Sequence, residues 1–174
     1  MRVLHVESGR HFYGGAYQVL YILEGLARRE VENVLACRRG APIVEPARAH
    51  ARVFEMRMRG DADFGLFFHL KRLIAPTRPD LGHLHSRRGA DLWGGVAARL
   101  AGVPCVLSRR VDNPEAPWVV RMKYRLYDHV IAISEGIRQV LLAEGLAPDR
   151  VTCVRSAVDA APYLIDYDKA GFRA

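Results

Sequence analysis

Histidines 83 and 85 stand two residues apart in the run Leu81–His85, so a strand there points both to one face. His85 lies at the end of that run beside Ser86. An imidazole in that place can hydrogen-bond a substrate hydroxyl or act as a catalytic base. His83 reads as a packed histidine beneath helices. No third ligand at a suitable spacing points to a metal, so neither a metal nor a cofactor is expected. A second candidate is the loop Glu7-Ser8-Gly9-Arg10-His11-Phe12-Tyr13-Gly14-Gly15. A glycine pair before a helix lets backbone approach a ligand and turns free N–H groups toward it. The third is arginine. Adjacent pairs occur at 28/29, 38/39, 87/88 and 109/110, in a chain with 23 Arg and 3 Lys. At that frequency pairs mean nothing, but positions do. Arg10 with His11, Arg38-Arg39, Arg57 and Arg59, Arg87-Arg88, and Arg109-Arg110 each follow a strand candidate. Guanidinium is a permanently charged fork that matches phosphate or carboxylate, so such a ring suggests an anionic ligand or surface.

Several chemistries are excluded. The glycine loop is not GxGxxG, and Ala36-Cys37-Arg38 puts no acid at the end of the second strand, which argues against a nicotinamide dinucleotide. There is no Walker GxxxxGK[ST] and no Gly-x-Ser-x-Gly elbow. The arginine pairs lack the interleaved aromatic platforms of single-strand binders, so nucleic acid is not an expected partner.

The elements that must position these residues alternate along the chain. Strand candidates are Arg2–Val6, Val31–Cys37, Arg52–Met56, Leu81–His85, Pro104–Ser108, His129–Ile133 and Val151–Arg155. Between them, Ala16, Val19, Leu20, Leu23, Leu26 and Ala27 fall at helical spacing. Phe64, Phe67, Phe68, Leu70 and Leu73 form a second stripe, ended by Pro76. A third helix is expected over Ala90–Ala101 with Gly102 as its stop, and a fourth over Pro117–Tyr127. The fifth is capped by Ser134 and closed by Gly145. This alternation predicts an α/β fold: a Rossmann-like, doubly wound parallel sheet of about seven strands with helices on both faces.

Composition sets the outer bounds. The chain has 174 residues, half of them hydrophobic, a net charge of +7 and a pI near 9.7. That is one globular domain and excludes disorder. No apolar run approaches a membrane span. The N-terminus enters a strand directly and leaves no room for a signal peptide. Cys37, Cys105 and Cys153 are odd in number and embedded in apolar stretches, as reduced core thiols of a cytoplasmic protein are. The positive excess makes an anionic membrane surface a further candidate partner, with the protein peripheral to its inner face.

Together these residues resemble the N-terminal, acceptor-side domain of a family 4 retaining glycosyltransferase, a class built of two facing Rossmann-like domains. The matching stretches are Val3-Leu4-His5-Val6 with Gly14-Gly15, then Pro79-Asp80-Leu81-Gly82-His83-Leu84-His85-Ser86 and Ala97-Ala98-Arg99-Leu100-Ala101-Gly102-Val103-Pro104. Lys123-Tyr124-Arg125, the run Asp128–Ile137 and the run Val151–Asp159 complete the likeness. Ser108-Arg109-Arg110-Val111-Asp112 resembles a bacterial subgroup associated with cell-envelope polysaccharide. Two departures stand out: Ser156-Ala157 replace the usual Asn-Gly before Val158-Asp159, and Arg110 stands where many members carry histidine.

The resemblance implies transfer of a sugar from a nucleoside-diphosphate donor to a glycan or lipid-linked acceptor. It places Gly14 and Gly15 at the donor phosphates, His85 at the catalytic position, and Ser86, Arg87, Arg109, Arg110 and Asp112 at the acceptor. It also implies that the donor is held mainly by a C-terminal domain, so the 174 residues are expected to be inactive alone, with 1–158 as the Rossmann-like domain and 159–174 starting an interdomain linker. The rival expectation is a non-catalytic module of the same fold that binds an anion or a partner chain. The loop Ser108–Trp118, with Pro114 and Pro117, is expected to form a flexible lip.

Overall fold

Seven short runs rich in Val, Leu, Ile and Ala pair side by side, each returning through a helical crossover. The structure, a computed structural model, describes residues 1–85, 89–160 and 164. The strands are β1 (Arg2–Glu7), β2 (Glu32–Arg38), β3 (Arg52–Met56), β4 (Leu81–Leu84), β5 (Cys105–Arg109), β6 (His129–Ala132) and β7 (Val151–Cys153). The helices are α1 (Gly14–Ala27), α2 (Val44–Ala47), α3 (Phe64–Thr77), α4 (Ala90–Leu100), α5 (Pro117–Lys123) and α6 (Glu135–Ala143). All neighbours are parallel, in the order β3-β2-β1-β4-β5-β6-β7. The expected fold class is therefore observed. The strand order reverses between β1 and β4, and in such sheets the crevice outside the strands' carboxyl ends at this point is the natural ligand site.

Alternation along β2 sorts the core. Leu35 and Cys37 pack with Ala16, Val19 and Leu23 of α1 and with Val44 and Ala47 of α2. Val34 and Ala36 turn to the other face, where Leu66, Leu70 and Ile74 of α3 and Ala97 and Ala98 of α4 complete the larger cluster. Cys37 and Cys105 are buried free thiols, and burial pushes both up to about 12, which keeps them protonated.

Boundaries differ from expectation at several elements. Pro76 does not end α3: the helix runs through it to Thr77, because a proline in the last turn removes only its own N–H. Arg78 closes the helix at φ 42°, its N–H donating to the Ile74 carbonyl at 2.8 Å. The fourth expected helix tightens after Lys123 into a 3₁₀ turn over Tyr124–Leu126. Strand β5 ends one residue later than expected, at Arg109. After β7 the chain is fastened to α1 by Gln18, whose side chain accepts from the Ala157 N–H at 2.8 Å and donates to the Ala157 carbonyl.

Candidate functional site: a cleft at the reversal point of the sheet

The carboxyl ends of β1, β2, β4 and β5 open into a cleft of about 950 Å³. The loop after β1 supplies Glu7, Gly9, Arg10, His11, Tyr13 and Gly15. Arg38 enters from β2, Arg59 and Asp61 from the loop after β3, and His85, Ser108 and Arg110 from β4 and β5. Four of the arginines that follow strands thus meet in one place. Two acids, Glu7 and Asp61, share it. Glu7 is occupied locally, accepting the Gly9 N–H at 2.7 Å. Arg38 is also held, donating to the Met58 carbonyl at 2.6 Å.

The floor of the cleft is histidine. His5 and His83 face each other in register across β1 and β4, and His85 follows on the same face. The rings are in contact: His5 stacks on His85 at 5.2 Å between centroids, and His83 lies 3.9 Å from His85. His5 Nδ1 is 3.0 Å from His85 Nε2, and His83 Nε2 is 2.8 Å from the Ser108 hydroxyl. Burial is the first cause in lowering all three pKa values, His5 to about 4, His83 to about 3 and His85 well below the ordinary value. The three are neutral imidazoles at pH 7. His83 is packed as the sequence suggested. His5, legible in the sequence only as part of a strand, completes a set whose ring nitrogens lie within 4.8 Å of one another.

The other expected site residues separate. Gly15 lines the cleft, and a methyl group there would stand 4.0 Å from Arg110 Cδ. Gly14 is exposed at the start of α1 with open space beside it. Arg110 lines the cleft, with Nη2 3.4 Å from His85 Nδ1. Asp112 is exposed and outside the residues that line the cleft. Ser86 and Arg87 lie outside the described residues.

Arg109 does not reach the cleft where an acceptor contact was expected. Its side chain is 1% exposed and forms an ion pair with Glu115 at 3.3 Å, away from the cleft. Lys123 holds the same carboxylate at 2.6 Å and Asp91 at 3.1 Å. The reason is alternation: Arg109 shares the face of Cys105 and Leu107, both in the larger core. The same contacts anchor the loop expected to be a free lip, because Glu115 sits at its middle.

A further device shapes the rim. Gly89 adopts φ +83°, and a Cβ there would meet the Gly60 carbonyl oxygen at 2.3 Å, so the loop after β3 lies directly on the start of α4. Trp93 Nε1 donates to the Asp61 carbonyl at 2.9 Å and fixes that contact. A glycine following arginine at each of the two positions was the only sequence signal for it.

Residues 12–161 match the family described as Glycosyltransferase Family 4. The chain belongs to that family. Solved structures agree on the fold. Alr3699/HepE from Anabaena, crystallised with UDP and glucose, is 14% identical, with a TM-score of 0.71 over 94% of this chain and 46% of its own. A glycosyltransferase from Rickettsia africae is 16% identical, with a TM-score of 0.75 over 99% of this chain and 48% of its own. MnaA from S. aureus, solved with UDP, is 16% identical, with a TM-score of 0.70 over 95% of this chain and 47% of its own. The chain spans a little under half the length of these proteins. No curated protein matches the sequence. Among the described residues, no helix is long and apolar enough to cross a membrane.

Proposed function

We propose that this family 4 domain is the acceptor-side half of a retaining glycosyltransferase. It would receive a sugar from a nucleoside diphosphate onto a cell-envelope glycan or a lipid-linked acceptor, and be inactive alone. The observation that carries the reading is the arginine-lined cleft at the sheet's reversal point, with the glycine loop on one wall and buried neutral histidines as its floor. Such a surface suits anionic groups, since oriented N–H groups and cations stabilise a departing diphosphate in the transition state. UDP in the related structures supports a nucleoside diphosphate as the donor's leaving group. The half-length match supports a second domain as the holder of most donor contacts.

His85 is proposed at the reacting centre. Burial holds it neutral, so it acts there not as a cation but through its lone pair, which faces the Arg110 guanidinium. Arg110, Gly14 and Gly15 are proposed ligand contacts, and Ser86, Arg87 and Asp112 acceptor contacts at the rim. A location at the inner face of the membrane fits the basic charge.

The test is binding and turnover of UDP-sugars by the purified 174 residues. Transfer or hydrolysis at ordinary enzymatic rates would sink the half-site reading. UDP binding that weakens in Gly14→Val sustains it, because space beside Gly14 is open and the fold tolerates the change.

A further inference from the structure

A row of polar groups crosses the sheet beneath the cleft, and its hydrogen bonds can run in one direction only. Asn33 sets the direction. Its Nδ2 donates to the carbonyls of Leu23 at 2.9 Å and His50 at 3.1 Å. Carbonyls only accept, so Oδ1 is the atom that faces His5 Nε2 at 3.2 Å, and that nitrogen carries the proton. A neutral imidazole has one such proton. His5 Nδ1 therefore accepts, and His85 Nε2, 3.0 Å away, donates to it. His85 Nδ1 is left with a bare lone pair, and the group facing it is the guanidinium of Arg110, which only donates.

Among the described residues no carboxylate lies within ion-pair distance of Arg110, as of Arg10, Arg38 and Arg59, but Arg110 alone of the four has a buried Nε without a partner, and Glu7 acts on its charge only from farther off. An acid at position 85 would orient Arg110 and cancel its charge together. A neutral imidazole with its lone pair fixed orients it and leaves the charge available.

We propose that Asn33, His5 and His85 form a tautomer lock that holds Arg110 across the cleft as a cation with no direct ion-pair partner. Asn33 and His5 are then positioning residues for a phosphate group bound at Arg110. The proposal rests on the cleft being the ligand face. The lock is incompatible with a metal at His85 Nε2. A metal at His85 Nε2 would put that ring's proton on Nδ1, opposite the Arg110 donor, and would break the 3.0 Å hydrogen bond to His5.

Two measurements on the full chain test it. Long-range nitrogen–proton NMR of the imidazoles should show His5 and His85 both neutral with the proton on Nε2. A proton on Nδ1 of His85, or a charged ring at pH 7, overturns the lock whatever the protein's activity. Calorimetric titration with inorganic pyrophosphate gives the second reading. Arg110→Gln should weaken binding roughly tenfold or more, as loss of a charge-assisted contact does. His5→Leu should weaken it several-fold in the parent chain and not further in the Arg110→Gln background. Equal losses in both backgrounds would mean that His5 acts only on the fold, and absence of pyrophosphate binding by the parent chain would remove the role of Arg110. If His5→Leu does not fold, the NMR result on the parent chain still decides. Sugar transfer enters neither measurement, so failure of the glycosyltransferase reading is seen separately.

Discussion

Arg109 and Arg110 are neighbours in sequence and opposites in circumstance. Arg109 lies in a buried set of two cations and two acids, with Lys123, Glu115 and Asp91, in which Tyr124 also donates its hydroxyl to Glu115 at 3.2 Å. Arg110 leans on a neutral histidine and meets no acid at ion-pair distance among the described residues. One cluster spends its charge on holding α4, α5 and the connecting loop together. The other holds a cation at the cleft with no ion pair of its own among the described residues. The difference shows that arginine frequency says little about ligands, whereas the presence or absence of a counter-charge says much.

Arg109→Met should act most strongly. It removes one cation from the buried set that holds Glu115 and Asp91, and removing one partner of a buried ionic set costs about 3–5 kcal/mol. Urea denaturation should show that loss, and a change below about 1 kcal/mol would refute the contrast. Gly89→Ala comes next. The left-handed backbone and the Gly60 carbonyl together should cost about 3 kcal/mol, by the αL penalty plus overpacking.

Acid gives the third effect, on the histidine floor. Folded pKa values of about 4 for His5 and about 3 for His83 lie below the ordinary 6.5. The unfolded chain therefore binds protons first as pH falls. The stabilisation is complete above pH 6.5 and is lost as pH drops toward 4 and 3, at about 1.4 kcal/mol per pH unit for each ring. By pH 5 each ring should have lost about 2 kcal/mol, and melting temperatures measured at pH 7.5 and pH 5 should reveal it. Equal melting at both would show that the rings are solvated.

Arg110→Met should change stability by less than about 1 kcal/mol, since it removes a desolvated cation whose hydrogen bond to His85 is long. Arg28→Ala should do least. The Arg28–Glu24 pair is an exposed i,i+4 contact, worth within about 0.5 kcal/mol, and pyrophosphate binding should not notice it.

Much of the fold was legible because apolar runs and helical stripes are written locally. Arg52–Met56 is observed as expected, and most other strands shift by a residue at an end. The short helix α2 was not foreseen, since four residues with Pro46 inside carry no period. The site was legible only in part. His85 and Arg110 were seen because they follow strands, but His5 and Asn33 were not singled out, because their partners lie on other strands. A signal did exist: a polar residue inside Val-Leu-His-Val, or beside Val34-Leu35, must find a buried partner. Arg109 was misplaced for a related reason. Ending the strand at Ser108 hid the fact that alternation carries Arg109 to the face of Leu107.

The lock beneath the cleft also has a kinetic meaning. Its bonds join residues 80, 28 and 25 positions apart, so none can form from a local piece of chain. β1 must wait for β4, and Arg110 must wait for β5, before the cation takes its place. Contacts of such sequence separation close late and slow a parallel sheet's assembly. In a stopped-flow refolding experiment, pyrophosphate binding should therefore lag behind the recovery of helical signal, and the cleft would serve as a clock for completion of the sheet.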